Sequence, residues 1–246
     1  MPSYKHQFKK VKMNNCLHFE KIAPQIALVT MNRPKVHNAY NQQMVEAFEK
    51  VIQQTEQDPE ILCVILTGAG QSFCAGADLK EAQLDNGKKL LSNLNGYQPL
   101  QYTQRKKIWI SAVEGFALGG GFELALHCDF IIASENATFG LPEIKHNLLP
   151  LGGGIQKLNN LLPKYLLKEI ILTGRLLKTA EMLKLNLIYQ SSPTGQAVEF
   201  AIKFAKSLQN MTASTLLSAN DLINQLDYLD DTQWNLLAQN YLEKKS

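Results

Sequence analysis

The sequence predicts an α/β fold in which buried strands alternate with helices. Three observations support this class: continuous apolar runs of strand length, apolar residues at helical spacing between them, and glycine turns with polar residues directly after several strands. In such folds, binding and catalytic residues collect at the carboxyl ends of the strands. We therefore expect the functional site in the turns that follow strands.

The first predicted elements are two strands joined by a helix. Residues 26–31 form a short β-type run that stops at Asn32-Arg33-Pro34. Residues 41–55 carry apolar side chains on one helical face. Residues 61–66 are apolar without interruption up to the turn at Gly68, which is typical of a strand covered on both faces.

The middle of the chain repeats the pattern of a strand followed by glycine. Residues 108–113 form an apolar strand before Gly115, a short helix is expected from 120 to about 127, and residues 130–133 form the next strand. From Thr179 onward the sequence becomes mostly helical, and we expect helices at 196–208, 212–226 and 232–242.

Composition and charge indicate a globular chain without affinity for nucleic acid or membrane. The 246 residues are 45% apolar and 19% charged, as in folded proteins. The formal net charge is +3, but four lysines lie among the first twelve residues, so the remainder is nearly neutral and does not attract nucleic acid. No apolar run approaches the ~18 residues of a membrane span, and the basic start lacks the apolar stretch of a secretory signal.

The cysteines and histidines give no sign of disulfide or metal chemistry. Cys16, Cys63, Cys74 and Cys128 contain no CxxC pair, and we expect buried free thiols in a reducing compartment, either the cytoplasm or the matrix of an organelle. The histidines lack metal-ligand spacing to cysteines or carboxylates, so no metal site is expected.

Two glycine-marked turns are candidates for stabilising a negative charge. Gly119, Gly120 and Gly121 open the predicted short helix, where backbone N–H groups point outward. A second donor from the turn Ala75-Gly76-Ala77 would complete a two-amide pocket for an anion forming on a carbonyl oxygen. Tight packing of helix against strand is the alternative reason for such glycines.

Glu123 and Glu143 each close a marked turn, at the ends of segments 118–123 and 139–143. Either could simply be a first-turn helix acid, which the helix dipole favours. Together they provide the paired groups that adding water to a double bond requires. One accepts a proton from water, while the other orients the water and donates. Burial among neighbouring apolar side chains would raise the pKa of a glutamate toward neutrality, which suits proton transfer.

The chain does not contain the glycine-rich motifs of dinucleotide-binding, nucleotide triphosphate-binding or α/β-hydrolase proteins. Segment 68–73 ends in Phe73 where a dinucleotide fingerprint requires glycine, and Gly152-Gly153-Gly154 lacks the Lys-Ser/Thr of a phosphate loop. No GxSxG elbow is present. Nicotinamide-dependent, nucleotide triphosphate-dependent and α/β-hydrolase functions therefore lose support.

At these residues the chain closely resembles the crotonase superfamily, and within it the enoyl-CoA hydratase/isomerase family. The resemblance extends from about residue 17 to about residue 240. Each matching segment alone is moderately specific, whereas the ordered set is highly specific. The segments are 31–39, 73–79, 115–123, 128–129, 139–144 and 172–175.

The resemblance implies both the fold and the assembly. It implies a crotonase-like spiral of ββα units with a C-terminal helical trimerisation region, and a homotrimer or a dimer of trimers. Residues 1–12 are then expected to be a flexible basic extension and residues 13–190 the core domain. Residues 191–246 are the C-terminal helical region, which is shorter than usual for the family.

The resemblance also implies an acyl-CoA thioester substrate, in which coenzyme A enters as part of the substrate and no cofactor is bound permanently. By position, the backbone amides of Ala77 and Gly120 form an oxyanion hole, and Glu123 and Glu143 are the catalytic pair. Residues that match or flank the positions contacting substrate or coenzyme A are Lys35, Ala75, Gly76, Ala77, Asp78, Leu79, Lys80, Gly119, Gly120 and Pro142.

Because both glutamates are present, the favoured function is hydration of a trans-2-enoyl-CoA to a 3-hydroxyacyl-CoA. Double-bond isomerisation, or another acyl-CoA reaction of the family, is the first alternative. A non-catalytic or RNA-associated member is the second. Leu151 and Asn147 stand where the family commonly has glycine, and both could reshape the acyl pocket.

Overall fold

The computed structural model describes residues 10–12, 15–78, 80–81, 100 and 105–225. Within this part of the chain, ten strands form one seven-stranded and one three-stranded sheet, with helices between and around them. The predicted α/β class is thereby confirmed.

The larger sheet has an antiparallel end and a parallel remainder. In spatial order it contains β1 (Lys10–Lys12), β2 (Leu17–Ala23), β3 (Gln25–Met31), β4 (Ile61–Gly68), β5 (Ile108–Val113), β7 (Phe130–Ser134) and β10 (Gln190–Ser192). The pairs β1–β2 and β2–β3 are antiparallel, and each later neighbouring pair is parallel.

The smaller sheet consists of very short strands that carry the marked turns. Its members are β6 (Phe116–Leu118), β8 (Thr138–Gly140) and β9 (Leu177–Lys178). β6 and β8 are parallel, and Leu118 is the register partner of Gly140. The chain therefore leaves β6 and β8 at the same edge of this sheet.

The helices of the described residues follow the strands. The α-helices are α1 (Gln42–Gln57), α2 (Gly120–Leu126), α3 (Gly154–Leu161), α4 (Lys164–Thr173), α5 (Thr179–Lys184), α6 (Ala197–Leu208) and α7 (Ala213–Gln225). Short 3₁₀-helices lie at Pro34–Val36 and Pro142–His146. Asn41 caps α1, because its side-chain oxygen accepts a hydrogen bond from the Met44 N–H.

Different helices cover the two faces of the larger sheet. Along β4, Val64 and Leu66 face the core that contains α1, whereas Cys63 and Ile65 face the core beneath α6. α6 contributes a buried alanine at every fourth position, starting at Ala197. These small side chains on one helical face let the helix lie close to the sheet.

Most predicted elements are confirmed, with ends that differ by one or a few residues. The strands expected at 26–31, 61–66, 108–113 and 130–133 are β3, β4, β5 and β7, and the helices expected at 41–55, 120–127, 196–208 and 212–226 are α1, α2, α6 and α7. The helix expected at 232–242 lies outside the described residues. The division of the chain at residues 12 and 190 stays a prediction; Lys10–Lys12 pair with β2, and α6 packs on the strands of the core.

Candidate active site

Three parallel chain segments bring the marked turns side by side. Cys74 forms a parallel bridge with Ala117 in β6, and Ala117 is the register partner of Phe139 in β8. The segments around these residues thus run in the same direction and in register. Each enters its marked turn within the next three residues, so the three turns meet at one edge.

Backbone pairing directs the amide of Ala77 into this edge. On the other side of the segment, the Tyr40 N–H donates to the Gly76 carbonyl and the Asp78 N–H donates to the Tyr40 carbonyl, both at 2.9 Å. In parallel pairing of this kind, the N–H of the intervening Ala77 points away from Tyr40. The Ala77 N–H donates no hydrogen bond to any residue that the structure describes.

Glycines allow the Ala77 turn to approach the start of α2. Gly76 has a φ of 102°, and a Cβ there would lie 2.9 Å from the Leu118 carbonyl oxygen and 3.2 Å from the Gly120 nitrogen. A Cβ on Gly120 would lie 2.2 Å from the Tyr40 hydroxyl oxygen. Side chains are therefore excluded at both positions, and the backbones of the two turns are in contact.

Glu123 lies in the first turn of α2 and is 3% exposed. Its Oε1 accepts a 2.9 Å hydrogen bond from the N–H of Gly154, the first residue of α3. A Cβ on Gly154 would lie 2.9 Å from both Glu123 Cγ and Leu141 Cδ1, so the glutamate stem packs beside the segment that leads to Glu143.

Glu143 reaches the same helix start from the third turn. It lies in the first turn of the 3₁₀-helix that Pro142 opens, and a Cβ on Gly119 would be 3.1 Å from its Oε1. Its Oε2 is buried and has no hydrogen-bond partner among the described residues. Burial raises the pKa of this carboxyl above its ordinary value, so the group gives up its proton less readily than an exposed glutamate.

Some of the remaining predicted site residues are held by contacts within the protein, and others are exposed. Asp78 is held by Arg33, whose guanidinium lies 3.0 Å from its Oδ2, and the Gly119 N–H donates to the Gly140 carbonyl. The Ala75 N–H is taken up by the His37 carbonyl. Lys35 and Lys80 are exposed at the periphery, and Leu79 lies outside the described residues.

Three residues at the site were not singled out by the sequence: Tyr40, Arg33 and Gly154. Arg33 also donates to the Ala39 carbonyl. Together with its contact to Asp78, this bond links the two segments that the Tyr40–Ala77 bridge pairs. Gly154 belongs to a glycine run that opens a helix, and that position alone could have indicated an available N–H. The contact of Tyr40 with Gly120 depends on the tertiary fold and has no local sequence signal.

The cysteines and Asp129 lie outside the three turns, in buried or half-buried surroundings. The four cysteines are buried and none forms a disulfide within the described residues, and burial raises the pKa of Cys74 to about 12. The Asp129 carboxylate accepts a hydrogen bond from the Trp109 backbone N–H at 2.7 Å and so joins the start of β7 to β5. In the described ranges, no three His, Cys, Asp or Glu side chains are grouped to hold a metal ion, and no helix there has the length and apolarity to cross a membrane.

Comparison with known proteins gives consistent similarities over most of the chain. Residues 21–241 match the family model for enoyl-CoA hydratase/isomerase. The chain is 37% identical to a short-chain-enoyl-CoA hydratase of Clostridium acetobutylicum and 35% identical to a probable enoyl-CoA hydratase of Rhizobium meliloti. Each match covers 82% of this chain and 78% of the relative.

The similarity to solved structures extends over an even larger share of the chain. The crystal structure of an enoyl-CoA hydratase from Mycobacterium marinum superposes with a TM-score of 0.88 at 30% identity, covering 95% of this chain and 92% of that chain. An enoyl-CoA hydratase from Bacillus anthracis gives a TM-score of 0.83 at 29% identity, covering 93% and 90%.

Proposed function

The chain belongs to the enoyl-CoA hydratase/isomerase family and has its crotonase-like α/β fold, and we propose that it adds water to the double bond of trans-2-enoyl-CoA thioesters. The product is a 3-hydroxyacyl-CoA. The observation that carries this proposal is the meeting of three turns at one edge, with two backbone amides and two glutamates around the start of α2.

The two amides act on the thioester carbonyl. Its oxygen accepts hydrogen bonds from the N–H groups of Ala77 and Gly120, whose turns are in contact through Gly76. Negative charge grows on this oxygen when water attacks C3, because the carbonyl becomes an enolate. Donors fixed in advance stabilise that charge, and losing one such donor costs roughly 3–4 kcal/mol of transition-state energy.

The two carboxyl groups handle water and its protons. Glu123 and Glu143 hold a water molecule against C3, and one carboxylate accepts a proton as the oxygen bonds to C3. A glutamate-delivered proton then adds at C2 on the same face, which completes the addition of H and OH. The raised pKa of Glu143 supports its part in this exchange.

The coenzyme A part of the substrate supplies binding contacts beyond the reacting carbons. We propose that it lies along the segment from Ala75 to Lys80, with Lys35 beside its phosphates or adenine. Gly119 and Pro142 flank the acyl thioester. Coenzyme A is present only as part of the substrate, and the reaction uses no permanently bound cofactor.

We further propose a homotrimer or a dimer of trimers located in the cytoplasm. The support is the family resemblance together with exposed apolar residues in the C-terminal region, namely Met211 between α6 and α7 and Ile223 on α7. The C-terminal helical region, residues 191–246, is proposed to make the trimer contacts.

A product analysis in ¹⁸O-labelled water tests the proposed reaction. The protein is incubated separately with a 2-enoyl-CoA and a 3-enoyl-CoA, and the products are identified by mass spectrometry. Hydration predicts a 3-hydroxyacyl-CoA that carries one solvent oxygen. Conversion of the 3-enoyl-CoA to the 2-enoyl-CoA without solvent oxygen would assign an isomerase instead, and no reaction with either compound would contradict both.

A further inference from the structure

One face of α2 presents two side chains to the same turn. Glu123 and His127 are four residues apart, which places them on the same side of a helix. Glu123 Oε1 accepts from the Gly154 N–H at 2.9 Å, and His127 Nε2 lies 2.8 Å from the Gly152 carbonyl oxygen. The turn at 152–154 is therefore bound at both ends: the Glu123 carboxylate accepts from the N–H at its last residue, and the His127 ring donates to the carbonyl at its first.

The partner of His127 determines which ring nitrogen carries the proton. A carbonyl oxygen only accepts hydrogen bonds, so Nε2 must be the protonated nitrogen. The residue is 4% exposed, and burial lowers the pKa of the ring to about 3. The imidazole is therefore a neutral donor in a single tautomer throughout the physiological pH range.

His127 is itself fixed through its backbone. Its N–H donates to the Glu123 carbonyl at 3.1 Å, and its carbonyl accepts from the Arg105 guanidinium, which stacks over Trp109. The histidine thus joins the end of α2 to the beginning of α3. A closed ring of contacts results: Glu123, the helix backbone, His127, Gly152 and Gly154.

We propose that His127 is a positioning residue for Glu123. Its Nε2–H holds the Gly152 carbonyl, and this places the Gly154 N–H where it keeps the Glu123 carboxylate in one orientation. The inference rests on the proposed hydratase function, in which Glu123 handles a water proton. Without the histidine donor, the turn loses one of its two attachments and the carboxylate loses a fixed partner.

The kinetic test compares two substitutions of the same residue. His127→Phe keeps a planar ring but removes the donor, and we expect kcat to fall by about 10- to 100-fold with KM within about twofold, because small misplacements of catalytic groups have effects of this size. His127→Gln keeps an N–H at a similar reach and should restore kcat to within about threefold of wild type. Binding of acetoacetyl-CoA should be unchanged in both, because the Ala77 and Gly120 amides are untouched.

Ile52→Val in α1 is the matched control for general destabilisation, since this buried residue belongs to none of the three turns. It should lower thermal stability while leaving kcat unchanged. Wild-type kcat in His127→Phe, or an equal loss in the Phe and Gln variants, would overturn the inference.

Hydrogen–deuterium exchange gives a readout that needs no substrate. Peptides covering residues 150–158 should exchange faster in His127→Phe than in wild type, and His127→Gln should retain protection. Unchanged exchange in His127→Phe would overturn the positioning role. A wild-type protein that hydrates no enoyl-CoA would contradict the proposed hydratase function. The exchange comparison would still test whether His127 holds the turn at 152–154.

Discussion

The two glutamates occupy different environments, and this difference suits different tasks. Glu123 is almost fully buried, and one of its oxygens is bound by the Gly154 N–H. Glu143 is half-buried, and one of its oxygens has no partner among the described residues. Paired carboxyl groups with unequal surroundings can divide acid and base roles at one pH.

Replacing either acid by its amide should abolish most of the activity while the fold survives. Glu123→Gln and Glu143→Gln are each expected to lower turnover of crotonyl-CoA by roughly 10²–10⁴, because the amide cannot exchange a proton. Glu135→Gln, at an exposed loop position, is the matched control and should retain wild-type turnover. Wild-type hydration by both active-site variants would remove the assignment of these residues.

The raised pKa of Glu143 predicts a trade-off between stability and function. The folded-state pKa lies above the ordinary value of 4.5 because burial disfavours the charged form. The folded protein therefore holds this proton more tightly than the unfolded chain. The associated stability is present at low pH and is lost as the pH rises through the raised pKa.

Glu143→Gln should accordingly raise the urea midpoint at neutral pH, with a smaller gain below pH 4.5. Unfolding curves of both proteins across this pH range provide the measurement. A midpoint equal to or below wild type at neutral pH, or a gain that does not change with pH, would contradict the cause assigned to the pKa.

At the scale of elements, the sequence predicts the turns better than the sheet that aligns them. The strands of the larger sheet are apolar runs such as β4 and β5, and their identity follows from composition. β6 and β8 have only three residues each, which is too short for a periodic signal. The sequence does not indicate β2 either, because Glu20 and Lys21 are adjacent in LHFEKIA and interrupt the alternation of apolar and polar residues.

The site residues also divide into those that a local motif predicts and those that only the tertiary fold brings to the site. Ala77, Gly120, Glu123 and Glu143 belong to local motifs, so a sequence can indicate them. Contacts such as Tyr40 with Gly120 join segments about 80 residues apart and depend on the fold. No spacing rule in one sequence contains that information.

The start of α2 should tolerate no side chain at Gly120. In Gly120→Ala the Cβ would lie 2.2 Å from the Tyr40 hydroxyl, so the ring must move and the oxyanion donors shift with it. We expect hydration to fall by about 10²-fold, as misplaced catalytic groups do. Steady-state kinetics with crotonyl-CoA measures the loss.

Gly195→Ala is the control for a general loss of stability on replacing a glycine by alanine. Gly195 has a φ of 82° and open space around its Cβ position, so alanine there costs roughly 1–2 kcal/mol without touching the site. This variant should be less stable but fully active. An active Gly120→Ala protein would show that the close approach to Tyr40 does not matter for catalysis.

For the whole molecule, the expected trimerisation predicts the mass in solution. Wild-type protein should sediment at three or six times the chain mass of 27.6 kDa. Ile223→Asp places a charge on an exposed residue of α7, in the region expected to make subunit contacts, and should shift the distribution toward monomer. Leu183→Asp on α5 is the control and should sediment like wild type.

A wild-type protein that sediments as a monomer at micromolar concentration would contradict the trimer prediction. The hydratase proposal would stand, because the described site residues are all supplied by one chain.

The central claim is that two main-chain N–H groups, of Ala77 and Gly120, polarise the thioester carbonyl of an acyl-CoA. Isotope-edited infrared difference spectroscopy observes this directly, with bound acyl-CoA labelled with ¹³C at the thioester carbonyl. The account predicts that the carbonyl band moves to lower wavenumber than in the free thioester in water. A band that stays at the free position while the ligand is demonstrably bound would contradict it.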